Sequence, residues 1–138
     1  MMKKPKLLLV DDDNEFVTKT ADRLEKRGFD VHFALSGHSA MGLLNDHVFD
    51  VAVLDVRMPE MDGFTLMGEI KALHPHTEVI LLTGYASVKT GMMGKDHGAY
   101  DFLIKPASLD LLCARINAAY RKKTDHEELE SETAFSRR

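Results

Sequence analysis

The stretch LLLVDDDNEF, Leu7 to Phe16, decides how the rest of the chain is read. Four apolar residues run straight into three carboxylates, Asp11, Asp12 and Asp13, and a helical pattern starts directly afterwards. A short, unbroken apolar run such as KLLLV (Lys6 to Val10) is the signature of a strand buried on both faces. Phe16, Val17, Thr20, Ala21 and Leu24 then recur at helical spacing, and Gly28 stands where a helix C-terminal cap belongs. The acids therefore mark a strand-to-helix junction. Adjacent like charges repel, so solubility alone does not explain their clustering.

The same unit recurs along the chain. VHFAL (Val31 to Leu35), DVAVLD (Asp50 to Asp55), EVILLT (Glu78 to Thr83) and DFLIK (Asp101 to Lys105) read as four further strands. Ala40, Leu43, Leu44 and His47 mark a second helical face, and Phe64, Met67, Ile70 and Leu73 a third. A weak helix is expected from about Ser87 to Asp96, interrupted by Gly91 and Gly94. Leu109, Leu112, Cys113, Ile116 and Tyr120 give the cleanest stripe, which places Cys113 in the core. Five strand–helix units in succession predict an α/β fold with a parallel sheet covered by helices on both faces. Ligands in such sheets sit beyond the carboxyl ends of the strands. Asp11 and its neighbours, Asp55, Thr83 and Lys105 each end a predicted strand, so the unusual polar residues share one sheet edge.

Length and composition agree. The 138 residues suit one domain, and 44% hydrophobic with 29% charged residues is a globular mix. The net charge of -4 argues against direct nucleic-acid binding. Only four apolar residues follow the basic opening MMKKPK, too few for a signal peptide or a membrane span. One cysteine excludes an internal disulfide and fits a reducing compartment, so the expected location is cytoplasmic. The seven histidines show no ligand spacing and read as surface or structural. The domain is expected over residues 1–122, with 123–138 a charged segment. RKKTDHEELESETAFSRR carries five basic and five acidic residues; it prolongs the last helix as far as about Ser131 or forms a frayed, solvated tail.

The chemistry starts from Asp11, Asp12 and Asp55. Converging carboxylates without a cation push at least one pKa upward, and a hard divalent ion removes the conflict. Mg2+ takes oxygen ligands, keeps several waters and uses one or two carboxylates beside phosphate oxygens. With a lysine and a hydroxyl at neighbouring strand ends, the group suits a phosphoryl group. A carboxylate can itself be the nucleophile and become an acyl phosphate. Asp13 comes one residue too late for that geometry and directly precedes a helix, so an N-cap role is expected.

The pieces LLLVDDDNEF, VAVLDVRMPEMDGF, VILLTGYAS and GAYDFLIKPAS, in this order and spacing, resemble the receiver domain of two-component response regulators over about residues 5 to 122. The resemblance implies a flavodoxin-like, five-stranded sheet in the order 2-1-3-4-5 with five helices. It implies Asp55 as phosphoacceptor, Asp12 as a direct Mg2+ ligand, Asp11 acting through metal-bound water, and the backbone carbonyl of Arg57 as a third protein ligand. Thr83 and Lys105 would contact the phosphoryl group, the Lys105–Pro106 bond would be cis, and Phe102 would be the switch aromatic. The implied donor is a histidine kinase or phosphotransfer protein, and the implied output is a protein-interaction surface read by an unidentified partner. The MPEMDG turn, with Pro59, Asp62 and Gly63, is expected to shape the pocket beside Asp55.

Two features are this chain's own. The resemblance implies that the positions two residues after the phosphoacceptor and the threonine flank the path of hydrolytic water, and here they are the bulky Arg57 and Tyr85. The helix through VKTGMMGKDHG (Val88 to Gly98), with adaptable Met92 and Met93, is expected to be the least stable of the five and readily remodelled. The competing readings are a Mg2+-dependent phosphohydrolase with an aspartyl-phosphate intermediate, a receiver fold that no longer takes phosphate, and a flavodoxin-like cofactor binder. Arg57 occupies the position where haloacid-dehalogenase-type phosphatases carry a second aspartate, all the receiver residues are present, and the acids would repel a cofactor phosphate.

Overall fold

In a computed structural model, which describes residues 3–84 and 88–136, five strands and five helices alternate. They are β1 (Lys6–Val10), α1 (Asn14–Lys26), β2 (Asp30–Ala34), α2 (Gly37–Asp46), β3 (Val51–Leu54), α3 (Gly63–Leu73), β4 (Glu78–Thr83), α4 (Val88–Asp96), β5 (Asp101–Ile104) and α5 (Leu109–Ser136). The strands form one parallel sheet in the order β2-β1-β3-β4-β5.

The period-2 geometry of a strand explains why the runs look uniformly apolar. Leu7 and Leu9 of β1, Val51 and Val53 of β3, and Ile80 and Leu82 of β4 pack on one face with Val17, Ala21 and Leu24 of α1 and Leu112, Cys113 and Ile116 of α5. Leu8, Val10, Ala52, Leu54, Val79 and Leu81 pack on the other, with Ala40 and Leu44 of α2 and Leu66, Met67 and Ile70 of α3. Leu7, Leu8 and Leu9 are almost fully buried, each contributing about 1.5–3 kcal/mol. Cys113 lies in the core, as the stripe predicts.

Helix ends follow local chemistry. Asp13 caps α1, its Oδ1 accepting the Phe16 N–H at 3.1 Å. At the other end Gly28 has φ 95, and Phe29 N–H and Gly28 N–H reach back to the Leu24 and Glu25 carbonyls, the paired closure that favours glycine. Ser36 and Asp62 cap α2 and α3 in the same way as Asp13.

Several boundaries shift. β2 begins and ends one residue earlier than expected, because its ladder pairs Lys6 with Asp30 and Val10 with Ala34, which leaves Leu35 outside the sheet. β3 and β5 stop at Leu54 and Ile104, so Asp55 and Lys105 lie just past the ladder. Ser87 and Tyr85 lie outside the described residues. Of the two glycines of α4, Gly94 has a close neighbour, since a Cβ there would stand 2.7 Å from Leu81 Cδ1, whereas one on Gly91 would make ordinary contact with the Phe102 ring at 3.6 Å.

The C-terminal segment takes the helical one of its two expected forms, and α5 continues to Ser136, past the limit expected near Ser131. The anchors are charged, so an apolar stripe misses them. Lys123 is buried, its Nζ 2.7 Å from Asp50 Oδ1 and 2.9 Å from Glu127 Oε1. Asp50 also accepts the Lys6 N–H at 2.8 Å, so this pair ties α5 to the start of β1. Burial works against the Lys123 charge, but Asp50 and Glu127 outweigh it and raise the pKa. The lysine's contribution is therefore full below its ordinary pKa of about 10.4 and is lost as pH rises from there through the raised folded-state pKa. Lys123→Met is expected to cost about 2 kcal/mol in urea unfolding at pH 7, less than a fully buried pair because Asp50 keeps its backbone donor. The deficit should shrink as pH rises from the ordinary lysine pKa of about 10.4, where the unfolded chain's lysine deprotonates, through the raised folded-state pKa, where the native ammonium does. Unchanged stability at pH 7 would remove this anchor from the account.

Candidate functional site at the strand ends

The register of the sheet sets the site. Asp11 N–H bonds the Ala34 carbonyl at 3.3 Å, Asp55 N–H bonds Val10 at 2.9 Å, and Lys105 N–H bonds Thr83 at 2.9 Å. Asp11, Asp55 and Lys105 are thus each held by the last carbonyl of the neighbouring strand. Asp11 and Asp55 are 2% and 8% exposed, Thr83 is buried and Asp12 faces solvent.

The Lys105 ammonium bonds Asp11 Oδ2 and lies 3.8 Å from Asp55 Oδ2. Its other side faces the Phe16 ring at 4.1 Å, a cation–π contact that steadies the lysine. Sequence reasoning assigned Phe16 only to a helix face; nothing in its spacing indicates the lysine 89 positions away. The Lys105–Pro106 bond is cis. Burial pushes the Asp11 carboxyl above its ordinary pKa, with the Lys105 hydrogen bond and the Asp13 N–H opposing and the Asp55 charge adding to the rise.

Gly63 is the second residue whose part the sequence understates. It reads as a turn former, but a Cβ there would fall 2.2 Å from the Asp55 carbonyl oxygen and 2.9 Å from Val56 Cα. Its N–H donates to the Val56 carbonyl at 2.8 Å. The start of α3 therefore lies flat against the chain leaving Asp55. Arg57, two residues after Asp55, has an exposed side chain. Phe102 is half-buried on the α2–α3 face of the sheet, next to Gly91 of α4.

The donor set fits a hard cation. One carboxylate oxygen from each of Asp11, Asp12 and Asp55 lies within 4.8 Å of the others. Asp55 Oδ1 is buried and has no hydrogen-bond partner among the described residues. A buried, unbonded carboxylate oxygen is costly unless a ligand completes it. Three carboxylates against one ammonium leave a formal charge of 3 − 1 = 2 negative units, which a divalent ion balances. All-oxygen donors suit Mg2+, with water completing the shell.

The family model for the response regulator receiver domain matches residues 7–117. This chain belongs to the response regulator receiver family. The receiver is 42% identical over 106 residues to the transcriptional regulatory protein ZraR of Salmonella typhimurium, covering 77% of this chain and 24% of that protein. It is 35% identical over 124 residues to the regulatory protein AtoC of Escherichia coli, covering 90% of this chain and 27% of AtoC. The chain thus spans about a quarter of the length of these curated relatives. Among solved structures, a CheY-like response regulator receiver domain protein from Methanospirillum hungatei superimposes with a TM-score of 0.85 at 26% identity, covering 90% of this receiver and 99% of that chain. The flavodoxin-like order and the family expected from the four motifs both hold. Among the described residues, no helix of the receiver is long and apolar enough to cross a membrane.

Proposed function

We propose that this receiver accepts a phosphoryl group on Asp55, from the phosphohistidine of a kinase or phosphotransfer protein or from a small phosphodonor, and that Asp11, Asp12, Asp55 and the Arg57 carbonyl hold Mg2+. The observation that supports this best is the gathering of three carboxylates and Lys105 at one sheet edge around the unbonded Asp55 Oδ1.

In the transfer, an Asp55 carboxylate oxygen forms a bond to phosphorus as the bond from phosphorus to the donor's nitrogen or oxygen breaks. The displaced atom leaves in line with its electron pair. Lys105 reaches the transferred oxygens from its place beside Asp55, and the Thr83 hydroxyl donates to one of them. Bound Mg2+ supplies charge neutralisation for the phosphoryl oxygens. The reverse branch, attack of water on the acyl phosphate, regenerates Asp55 and inorganic phosphate, so the chain catalyses both its own modification and its loss.

The signal is a population shift between two packings. Thr83 moves towards the phosphoryl group and Phe102 follows inward, which changes the face made by α4, β5 and α5 for a protein partner. The test is incubation with a small phosphodonor and Mg2+, followed by mapping of the adduct by mass spectrometry. A single Mg2+-dependent acyl phosphate on Asp55 is expected; an adduct elsewhere, or none, overturns the reading. The bulk of Arg57 and Tyr85 further predicts a long-lived acyl phosphate. The wild type should lose it more slowly than a double variant carrying Arg57→Ala and Tyr85→Ala, and equal decay rates would dismiss the shielding role.

A further inference from the structure

Two histidines that the sequence separates by 50 positions meet between the α3–β4 turn and α5. His76 lies in the turn between α3 and β4, while His126 and Glu130 sit one turn apart on the same face of α5. One donor atom from each lies within 4.8 Å of the other two. His76 Nε2 is 2.8 Å from Glu130 Oε2, and His126 Nε2 is 3.6 Å from Glu130 Oε1. The two rings stand 4.9 Å apart at centroids, tilted by 47°. We propose that His76, His126 and Glu130 form a second metal site, which takes a borderline divalent ion such as Zn2+ and fastens the distal part of α5 to the α3–β4 turn.

Hydrogen bonding does not account for the whole arrangement. The His76–Glu130 contact is a good hydrogen bond, but 3.6 Å is too long for one, and yet His126 also turns its Nε2 to the same carboxylate. An ion between the three donors explains the convergence. At metal–nitrogen and metal–oxygen distances of about 2.0–2.1 Å, tetrahedral donors stand about 3.3 Å apart, a spacing inside the 4.8 Å that contains the three donor atoms. Two imidazoles with one carboxylate, and a fourth position open to water, form a recurrent Zn2+ set, whereas Mg2+ prefers oxygen throughout.

The surrounding charges leave Glu130 to this role. Lys123 is engaged by Asp50 and Glu127, and Lys122 reaches Glu78 at 3.4 Å. The side chains of His76, His126 and Glu130 are 31%, 55% and 60% exposed, so an ion can enter without opening the core. Zn2+ there would extend to the following turn the anchoring that Lys123 begins.

The experiment uses the whole chain, stripped of metal and then held in saturating Mg2+ so that the acidic site is occupied. Zn2+ is titrated against a chromophoric competing chelator, and amide exchange is followed over residues 124–132. The wild type should bind one equivalent of Zn2+, and His76→Ala and His126→Ala should each weaken it by more than about tenfold. Exchange over 124–132 should slow with Zn2+ in the wild type and not in His126→Ala. These residues lie on the surface, and matching circular dichroism will confirm that the variants fold. Absence of Zn2+ binding by the wild type, or affinity equal to the wild type's in either histidine variant, overturns the proposal.

Discussion

Asp55→Asn is expected to abolish Mg2+-dependent labelling by a small phosphodonor, a loss of more than about a hundredfold, because an amide oxygen is no nucleophile for phosphorus at neutral pH. The variant should also be no less stable than the wild type. Asn has nearly the shape of Asp, and the substitution removes one of three clustered carboxylates, lowering the formal charge of the cluster from two negative units to one. Relief of that repulsion is worth on the order of 1 kcal/mol without metal. Adding Mg2+ should then stabilise the wild type more than the variant, since ligand linkage scales with affinity. This combination separates a chemical role from a structural one. A residue that merely capped β3 would leave labelling intact when replaced, and undiminished labelling of Asp55→Asn would sink the assignment.

Gly63→Ala is expected to destabilise the fold by more than about 3 kcal/mol, at or beyond the usual cost of overpacking. The atoms a Cβ would strike are backbone: the Asp55 carbonyl oxygen at 2.2 Å, Val56 Cα at 2.9 Å and the Asp55 carbonyl carbon at 3.0 Å. None can rotate aside, so either α3 withdraws or the chain leaving Asp55 moves. Phosphoryl acceptance should fall with stability, because the Arg57 carbonyl lies on that displaced chain. Gly42→Ala and Gly68→Ala are the controls. Both are helical, a Cβ at either meets nothing within 4 Å, and alanine should stabilise each helix by up to about 1 kcal/mol. Urea midpoints for the three variants check the contrast; a Gly63→Ala protein as stable as the wild type would show that this approach is looser than described.

What could be read from the chain, and what could not, divides along physical lines. β1 and β4 fall on their expected residues because both are central strands, buried on both faces, whose apolar runs end abruptly at polar residues. β2 is an edge strand with a mixed pattern, and only its partner β1 fixes its register. Asp13 could be assigned as a cap because capping is local, settled within three residues. The buried Lys123–Asp50 pair spans 73 positions, and no periodicity announces a lysine that anchors a helix. The His76–His126–Glu130 cluster gives the histidines no ligand spacing along the chain for the same reason: His126 and Glu130 share α5, but His76 comes from the turn before β4. At the strand ends the acids, Thr83 and Lys105 were legible because a parallel sheet delivers strand ends to one edge. The Lys105–Phe16 contact and the flat approach of Gly63 depend on side-chain direction and backbone path, which composition does not encode.

The backbone bonds that hold Asp11, Asp55 and Lys105 to the last carbonyls of neighbouring strands have a further consequence. The pocket belongs to no contiguous piece of the polypeptide: Asp11 and Asp12, Asp55 and Lys105 come from the ends of three strands, and only the completed order of strands assembles them. A slip of one residue in any pairing would exchange the side chains of the two helix-covered faces, undoing the packing of both cores and moving each strand-end residue out of line with its neighbours. Phosphoryl acceptance is therefore a reporter of native topology as well as of chemistry, since a misregistered chain cannot mimic it and an incomplete sheet cannot support it.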